Sequence, residues 1–77
     1  RFHKVKDYRI RSSNVSPAFR TELENFFEKN KFGFRCMKAF KDRNEAVYLY
    51  RVSASDRNYT LVDEYLINHH AISGFEV

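Results

Sequence analysis

Apolar and charged side chains alternate along three stretches of the chain, a period that is typical of half-buried β-strands. Tyr8 and Ile10, for example, stand between charged neighbours. A shorter stretch closes the sequence, and the polar residues 42–44 between the second and third stretches favour a tight turn. The pattern predicts strands over residues 4–12, 34–41, 45–53 and 72–77, with the second and third forming a hairpin.

The segments between these strands have apolar side chains at helical spacing. Ser16 is suited to cap the first helix, and Pro17 suits its first position because proline lacks the N–H that would stay unpaired there. Thr60 and Asp63 fit a capping box and predict the start of the second helix at Thr60. The apolar faces consist of Phe19, Leu23, Phe26 and Phe27 in the first helix, and of Leu61, Val62, Tyr65, Leu66 and His69 in the second.

The order of the predicted elements is strand, helix, strand, strand, helix, strand. Right-handed crossovers place the strands in the order 4-1-3-2. The predicted fold is therefore an α+β, ferredoxin-like sandwich, with a four-stranded antiparallel sheet and both helices on one face. Its predicted core comprises Tyr8, Ile10, Phe19, Leu23, Phe26, Phe34, Val52, Leu61, Val62, Tyr65 and Leu66.

The third strand has two possible registers, which differ in the residues that meet the helices. In one, Tyr48 and Tyr50 point outward and Arg51 is buried. We favour the other, in which both tyrosines face the helices, because burying an unpaired arginine is costly. The helix-facing set then also includes Tyr8, Ile10, Phe34, Cys36, Phe40 and Val52. The open face, which is the side of the sheet away from the helices, then carries Arg9, Arg11, Arg35, Met37, Val47, Leu49 and Arg51.

The length of the chain limits it to one small domain, residues 1–77. Its single cysteine, Cys36, excludes an internal disulfide and a cysteine-based zinc site, and it favours an intracellular location in the nucleus or cytoplasm. No apolar run reaches the length of a membrane-spanning helix, so no membrane contact is expected. Because the sequence starts at Arg1 rather than at methionine, we expect a domain of a longer protein.

The formal net charge is +4, and its distribution is uneven. Residues 1–11 hold five basic residues and one acidic residue, and residues 29–43 hold six basic residues and one acidic residue. The rest of the chain holds three basic and eight acidic residues. Because both basic segments fall on predicted strands, we expect a basic sheet, a feature typical of proteins that bind polyanions.

The segments PAFRTELENFFEKN and LINHHAISGFEV resemble the first helix and the closing region of RNA-recognition motif domains. The resemblance implies the same fold and RNA binding through the sheet. The third strand of that family carries glycines and exposed aromatics that stack on bases. Residues 45–52 lack the glycines, and in the favoured register their tyrosines face inward. The resemblance therefore implies a degenerate RNA-recognition motif without the usual stacking platform.

Two functions of different classes remain open. The first is weak, phosphate-dominated binding of single-stranded RNA by Arg9, Arg11, Arg35, Lys38, Lys41 and Arg51. The second is binding of a partner protein, or of a second copy of the domain, anchored by Met37, Val47 and Leu49. The register of the third strand discriminates between them. Outward Tyr48 and Tyr50 favour RNA, whereas outward Val47 and Leu49 favour a protein.

No residue pattern indicates an enzyme, a metal site, a cofactor or a small-molecule substrate. No two carboxylates are spaced for acid–base catalysis. His69 and His70 are adjacent on the predicted helix, where neighbouring side chains diverge by about 100°. Together with the distant His3, they do not form a metal site.

Overall fold

A computed structural model of the protein describes residues 4–77; His3 lies outside the described residues. The strands and helices follow the predicted order, and the predicted strands agree with the observed ones to within a residue at each end. The elements are β1 (Lys4–Ser12), α1 (Pro17–Lys29), β2 (Gly33–Asp42), β3 (Glu45–Ala54), α2 (Asp56–Asn68) and β4 (Ile72–Glu76).

The four strands form one antiparallel sheet in the order β2-β3-β1-β4. This is the predicted order, and it confirms an α+β fold of the ferredoxin-like type. The pairing of β1 with both β3 and β4 places β1 and β3 in the centre of the sheet. β2 and β4 are therefore the edge strands.

Tyr8 and Tyr50 connect the sheet to both helices. They lie opposite each other on β1 and β3, so their side chains share one face of the sheet. Tyr8 donates a hydrogen bond to Asp63 of α2 at 3.0 Å, and Tyr50 donates one to Glu24 of α1 at 2.5 Å. The pKa of both phenols is raised, mainly because the side chains are buried and also because each hydroxyl faces a carboxylate. Both helices thus cover the same face, and the favoured register of β3 is confirmed.

Most of the predicted core is buried, namely Tyr8, Ile10, Phe19, Leu23, Val52, Val62 and Leu66. Three predicted core residues, Phe26, Phe34 and Tyr65, are only partly buried against it. The prediction for Leu61 is wrong, because its side chain is 44% exposed. The core also contains aromatic residues outside that prediction, of which Phe27, Tyr50 and Tyr59 are the most deeply buried.

The two helix starts differ in how well the sequence predicts them. α1 begins at Pro17 as predicted, with the Ala18 N–H donating to the Ser16 hydroxyl at 3.1 Å. α2 begins at Asp56, a full turn before Thr60. The predicted capping box is wrong, because Ser55 is the N-cap residue and the Asp63 carboxylate accepts from Tyr8 instead.

The end of α1 has the hydrogen bonds of a Schellman motif. Lys31 N–H donates to the Glu28 carbonyl, and Phe32 N–H donates to the Phe27 carbonyl, both at 3.0 Å. The motif needs a left-handed residue, and Lys31 takes that conformation with φ 61°. Glycine usually occupies this position because a Cβ atom is strained there.

Replacing Lys31 by glycine is therefore expected to stabilise the domain by about 0.5–1 kcal/mol. Glycine removes the strain of the left-handed conformation, and its greater conformational entropy in the unfolded chain offsets part of that gain. Lys31→Ala is the matched control, because it removes the same charge but keeps the Cβ atom. Denaturant unfolding curves measure both variants. Equal stability of the glycine and alanine variants would contradict the strain at this position.

An irregularity in β2 changes the face on which its later residues lie. Cys36 pairs with Tyr50, but Lys38 pairs with Leu49, so Met37 is an extra residue in a β-bulge. Phe40 consequently lies opposite Val47, on the sheet face away from the helices. The prediction that Phe40 faces the helices is wrong, because a bulge shifts the alternation by one residue.

Candidate functional site

The central part of the sheet face away from the helices, here called the open face, consists of three rows of cross-strand neighbours. Each row starts on β2 and crosses β3 to β1, and two of the rows continue to β4. Residues in a row lie directly opposite one another, so their side chains contact or compete. The rows consist of Arg35, Arg51 and Asp7; of Lys38, Leu49, Arg9 and Glu76; and of Phe40, Val47, Arg11 and Gly74.

Three arginines of the open face are paired with carboxylates. Arg51 binds both carboxylate oxygens of Asp7, with Nε–Oδ1 at 2.9 Å and Nη2–Oδ2 at 3.2 Å. Arg11 Nη1 lies 2.6 Å from one oxygen of Glu76, and Arg9 Nη1 lies 3.6 Å from the other. Two carboxylates thus offset two of the three arginine charges that β1 and β3 carry on the open face.

Gly74 allows Arg11 to reach Glu76. A Cβ atom at Gly74 would stand only 2.1 Å from Nη2 of Arg11. The guanidinium thus lies across the backbone of β4, in the space that a side chain would otherwise fill. The glycine in β4 consequently serves the ion pair rather than a turn.

The arginine neighbours hold the pKa values of both carboxyls below their ordinary values of 3.8 for Asp7 and 4.5 for Glu76. The largest cause of the lowered pKa is a hydrogen bond from an arginine. Arg51 donates it to Asp7, and Arg11 donates it to Glu76. A carboxyl with a lowered pKa in the folded state contributes stability above its unfolded pKa, and this contribution is lost as the pH falls through the folded pKa.

We therefore expect the melting temperature to fall between neutral pH and about pH 3, and to fall less in the Asp7→Asn variant than in the wild type. Circular dichroism melts at the two pH values measure this difference. Glu28→Gln, which removes a carboxylate that is exposed and has no ion-pair partner within residues 4–77, is the control. The same acid sensitivity in all three proteins would contradict a role for the Asp7 pair.

A shallow depression of about 310 Å³ lies between the ion pairs. Leu49, Met37 and Val77 are its aliphatic lining residues, and Arg9, Arg51, Asp7 and Glu76 are among its polar ones. Met37 is 45% exposed, because the bulge places it at the surface. Of the predicted protein-binding residues, Met37 and Leu49 thus come together, whereas Val47 lies on the open face but is completely buried.

The basic residues of β2 are in a different situation from those of β1 and β3. Arg35 and Lys38 lie on the open face, and within residues 4–77 neither has an ion-pair partner. Lys41 pairs with Ala46 and lies on the opposite, helix-side face of the sheet, where it is exposed. The six predicted RNA-binding residues therefore do not form one surface: five share the open face and Lys41 does not.

The sequence interpretation missed three residues of the open face. Asp7 and Glu76 neutralise the arginines, and the alternation of Asp7 with Arg9 in β1 was a signal for the first of them. Phe40 adds an exposed aromatic ring, 36% exposed, with the Lys38 Nζ atom 5.3 Å from its centre. No feature of the sequence signals the bulge that turns Phe40 outward.

His69 and His70 directly follow α2. His69 Nε2 is 2.8 Å from a Glu22 carboxylate oxygen, and its Nδ1 atom accepts from the Ala71 N–H. The rings of His69 and His70 stack 5.0 Å apart, so the prediction that they diverge is wrong; His69 is the C-cap residue and has an extended backbone. Residues 4–77 contain no group of three side chains placed to hold a metal ion.

No protein-family model matches the chain, and none of the curated proteins compared with it matches it either. The structure therefore defines the protein by its fold class, a ferredoxin-like α+β domain. Within residues 4–77, neither helix combines the length and apolar content needed to cross a bilayer.

Proposed function

We propose that this domain is a protein-interaction module that binds a partner through the open face. The observation that carries the proposal is the apolar depression of Leu49 and Met37, enclosed by arginines whose charges are already paired with Asp7 and Glu76. Arginine and methionine are enriched in protein interfaces, whereas lysine, aspartate and glutamate are depleted from them. The inward Tyr48 and Tyr50 leave no stacking platform at the centre of the sheet, which further favours a protein.

The polar and apolar parts of the open face have separate roles in this proposal. A side chain of the partner fills the depression and removes Leu49 and Met37 from water, which supplies most of the binding energy. The paired arginines form the rim and fix the orientation of the partner. Because Asp7 and Glu76 stay paired with the three arginines, binding at the depression faces one net positive charge rather than three unpaired ones.

Selection from a displayed library of random peptides tests the proposal. We expect peptides selected on the wild-type domain to bind Leu49→Asp and Met37→Glu at least about thirtyfold more weakly, the loss typical of a central anchor of about 2 kcal/mol. Ile67→Glu is the matched control, because Ile67 is a 70% exposed apolar residue on α2. Thermal melts establish that each variant is folded. Peptides that bind every variant equally well would overturn the proposal.

A second candidate is binding of single-stranded RNA, and it is favoured by the exposed Phe40 ring beside Lys38, with Arg35 farther along the same face of β2. One base can stack on the ring while the two cations contact phosphates. In this case, Phe40→Ala and Arg35→Glu weaken the binding of an oligouridine, whereas Arg9→Glu, whose native side chain pairs with Glu76, changes it less. Titrations at low and high salt measure it, because phosphate contacts weaken steeply with salt.

A further inference from the structure

β2 is one of the two edge strands of the sheet. β2 has only β3 as a neighbour within residues 4–77, so half of its backbone N–H and C=O groups point away from the sheet. From Met37 to Asp42 every side chain is exposed, on both faces of the strand. Neither helix therefore covers this end of the edge.

Within residues 38–41 the charged side chains are basic on both faces of the strand, and the acidic Asp42 follows at its end. Lys38 lies on the open face and Lys41 on the helix side, and neither has an ion-pair partner within residues 4–77. Phe40 lies between them in sequence and shares the open face with Lys38. The segment thus presents a lysine and an aromatic ring on one face, and a second lysine on the other.

Resting on the proposed function, we infer that the partner contributes an acidic extended segment, which pairs with residues 38–41 as a fifth strand. Lysines on an edge strand oppose pairing with a second copy, because like charges then lie opposite one another. The same lysines attract a strand with carboxylates at those positions. The charge of the edge therefore opposes self-association and favours an acidic partner.

The register predicts the sequence pattern of the partner. An added strand continues the antiparallel sheet, so its residues run in the opposite direction to β2. A carboxylate faces Lys41, an apolar residue faces Phe40, any residue faces Ala39, and a second carboxylate faces Lys38. The partner segment thus reads acidic, apolar, any, acidic.

The probe is a ten-residue peptide whose central residues are glutamate, phenylalanine, threonine and glutamate. We expect it to shift the NMR amide signals of β2 from Lys38 to Asp42, and to protect some of these amides from hydrogen exchange. In a control peptide, the amide nitrogens that would face β2 are methylated, so the peptide cannot donate backbone hydrogen bonds to the strand. We expect this methylation to abolish binding. Binding that survives methylation would overturn strand addition.

Charge reversal tests the register. Lys38→Glu is expected to weaken the binding of the peptide roughly fivefold or more, because it converts an exposed ion pair into a repulsion. Arg57→Glu changes the net charge equally, and it lies on α2, away from the edge, so it is expected to have little effect. A peptide with lysine at the position facing residue 38 should recover binding to Lys38→Glu. Absence of this recovery would contradict the assigned register.

The remaining outcomes separate this inference from the proposed function. If library peptides require Leu49 but the acidic peptide does not perturb β2, the inference is wrong and the proposed function stands. If no peptide binds at all, both are wrong. Tighter binding of an oligouridine at the same β2 amides would assign the edge to nucleic acid, and a concentration-dependent dimer through β2 would assign it to a second copy; either result overturns the inference.

Discussion

Phe27→Ala is expected to lower the free energy of unfolding by about 3–5 kcal/mol, most of the stability of a small domain. Phe27 is completely buried, and its ring contacts Tyr50 and Phe34 of the sheet at centroid distances of 5.5 and 5.3 Å. Truncation leaves a cavity between α1 and the centre of the sheet, where the surrounding rings relax only partly. Equilibrium unfolding in urea measures the loss.

Phe40→Ala is the matched control for this prediction. It removes the same side chain from the open face, where Phe40 is 36% exposed, so its cost is expected to be less than half as large. The comparison also tests the bulge at Met37, which turns Phe40 away from the helices. Equal destabilisation by the two substitutions would contradict the observed register of β2.

Tyr59→Phe is expected to destabilise the domain by about 1–3 kcal/mol, a large effect for the loss of one oxygen atom. The Tyr59 hydroxyl accepts from the Ala54 N–H at 3.2 Å and lies against the carbonyl of Lys4, the residue that pairs with Ala54. A third contact, to the Val52 carbonyl, is 2.8 Å long. The hydroxyl therefore closes the end of the β1–β3 ladder, and phenylalanine leaves buried backbone groups unpaired.

Tyr65→Phe is the control for the loss of a hydroxyl. The Tyr65 hydroxyl is buried and makes no hydrogen bond of ordinary geometry within residues 4–77. Burial, followed by the neighbouring Glu22 carboxylate, raises the pKa of this phenol to about 12. Because no hydrogen bond is lost, the stability is expected to change little or to increase. Comparable losses in both variants would show that the contacts of Tyr59 have no special role.

The helix and strand order was predictable because each element has its own local signal. Alternation marks β1 and β3, and the Ser16 cap with Pro17 marks the start of α1. The start of α2 was not predictable from its capping residues. Thr60 and Asp63 have the right spacing for a capping box, but the hydroxyl of Tyr8 reaches Asp63 from a distant strand. A tertiary contact thus uses the side chain that the local signal assigned to the cap.

The candidate site was predictable only in part. The sequence placed Met37 and Leu49 on the open face, and both line the depression. It also concentrated positive charge on the sheet, but the partners of that charge depend on which strands are neighbours. Glu76 lies far from Arg9 and Arg11 in sequence, and it binds them because β4 pairs with β1.

The sequence by itself determined the class of fold, the inward register of Tyr48 and Tyr50, and most of the core, because these depend on periodicity and on the cost of burying Arg51. Only the tertiary structure decided which charges remain unpaired and where Phe40 lies. Ion pairing depends on distances across the sheet, and the bulge at Met37 is a property of how β2 meets β3. Both are relations between segments, which no local pattern of residues contains.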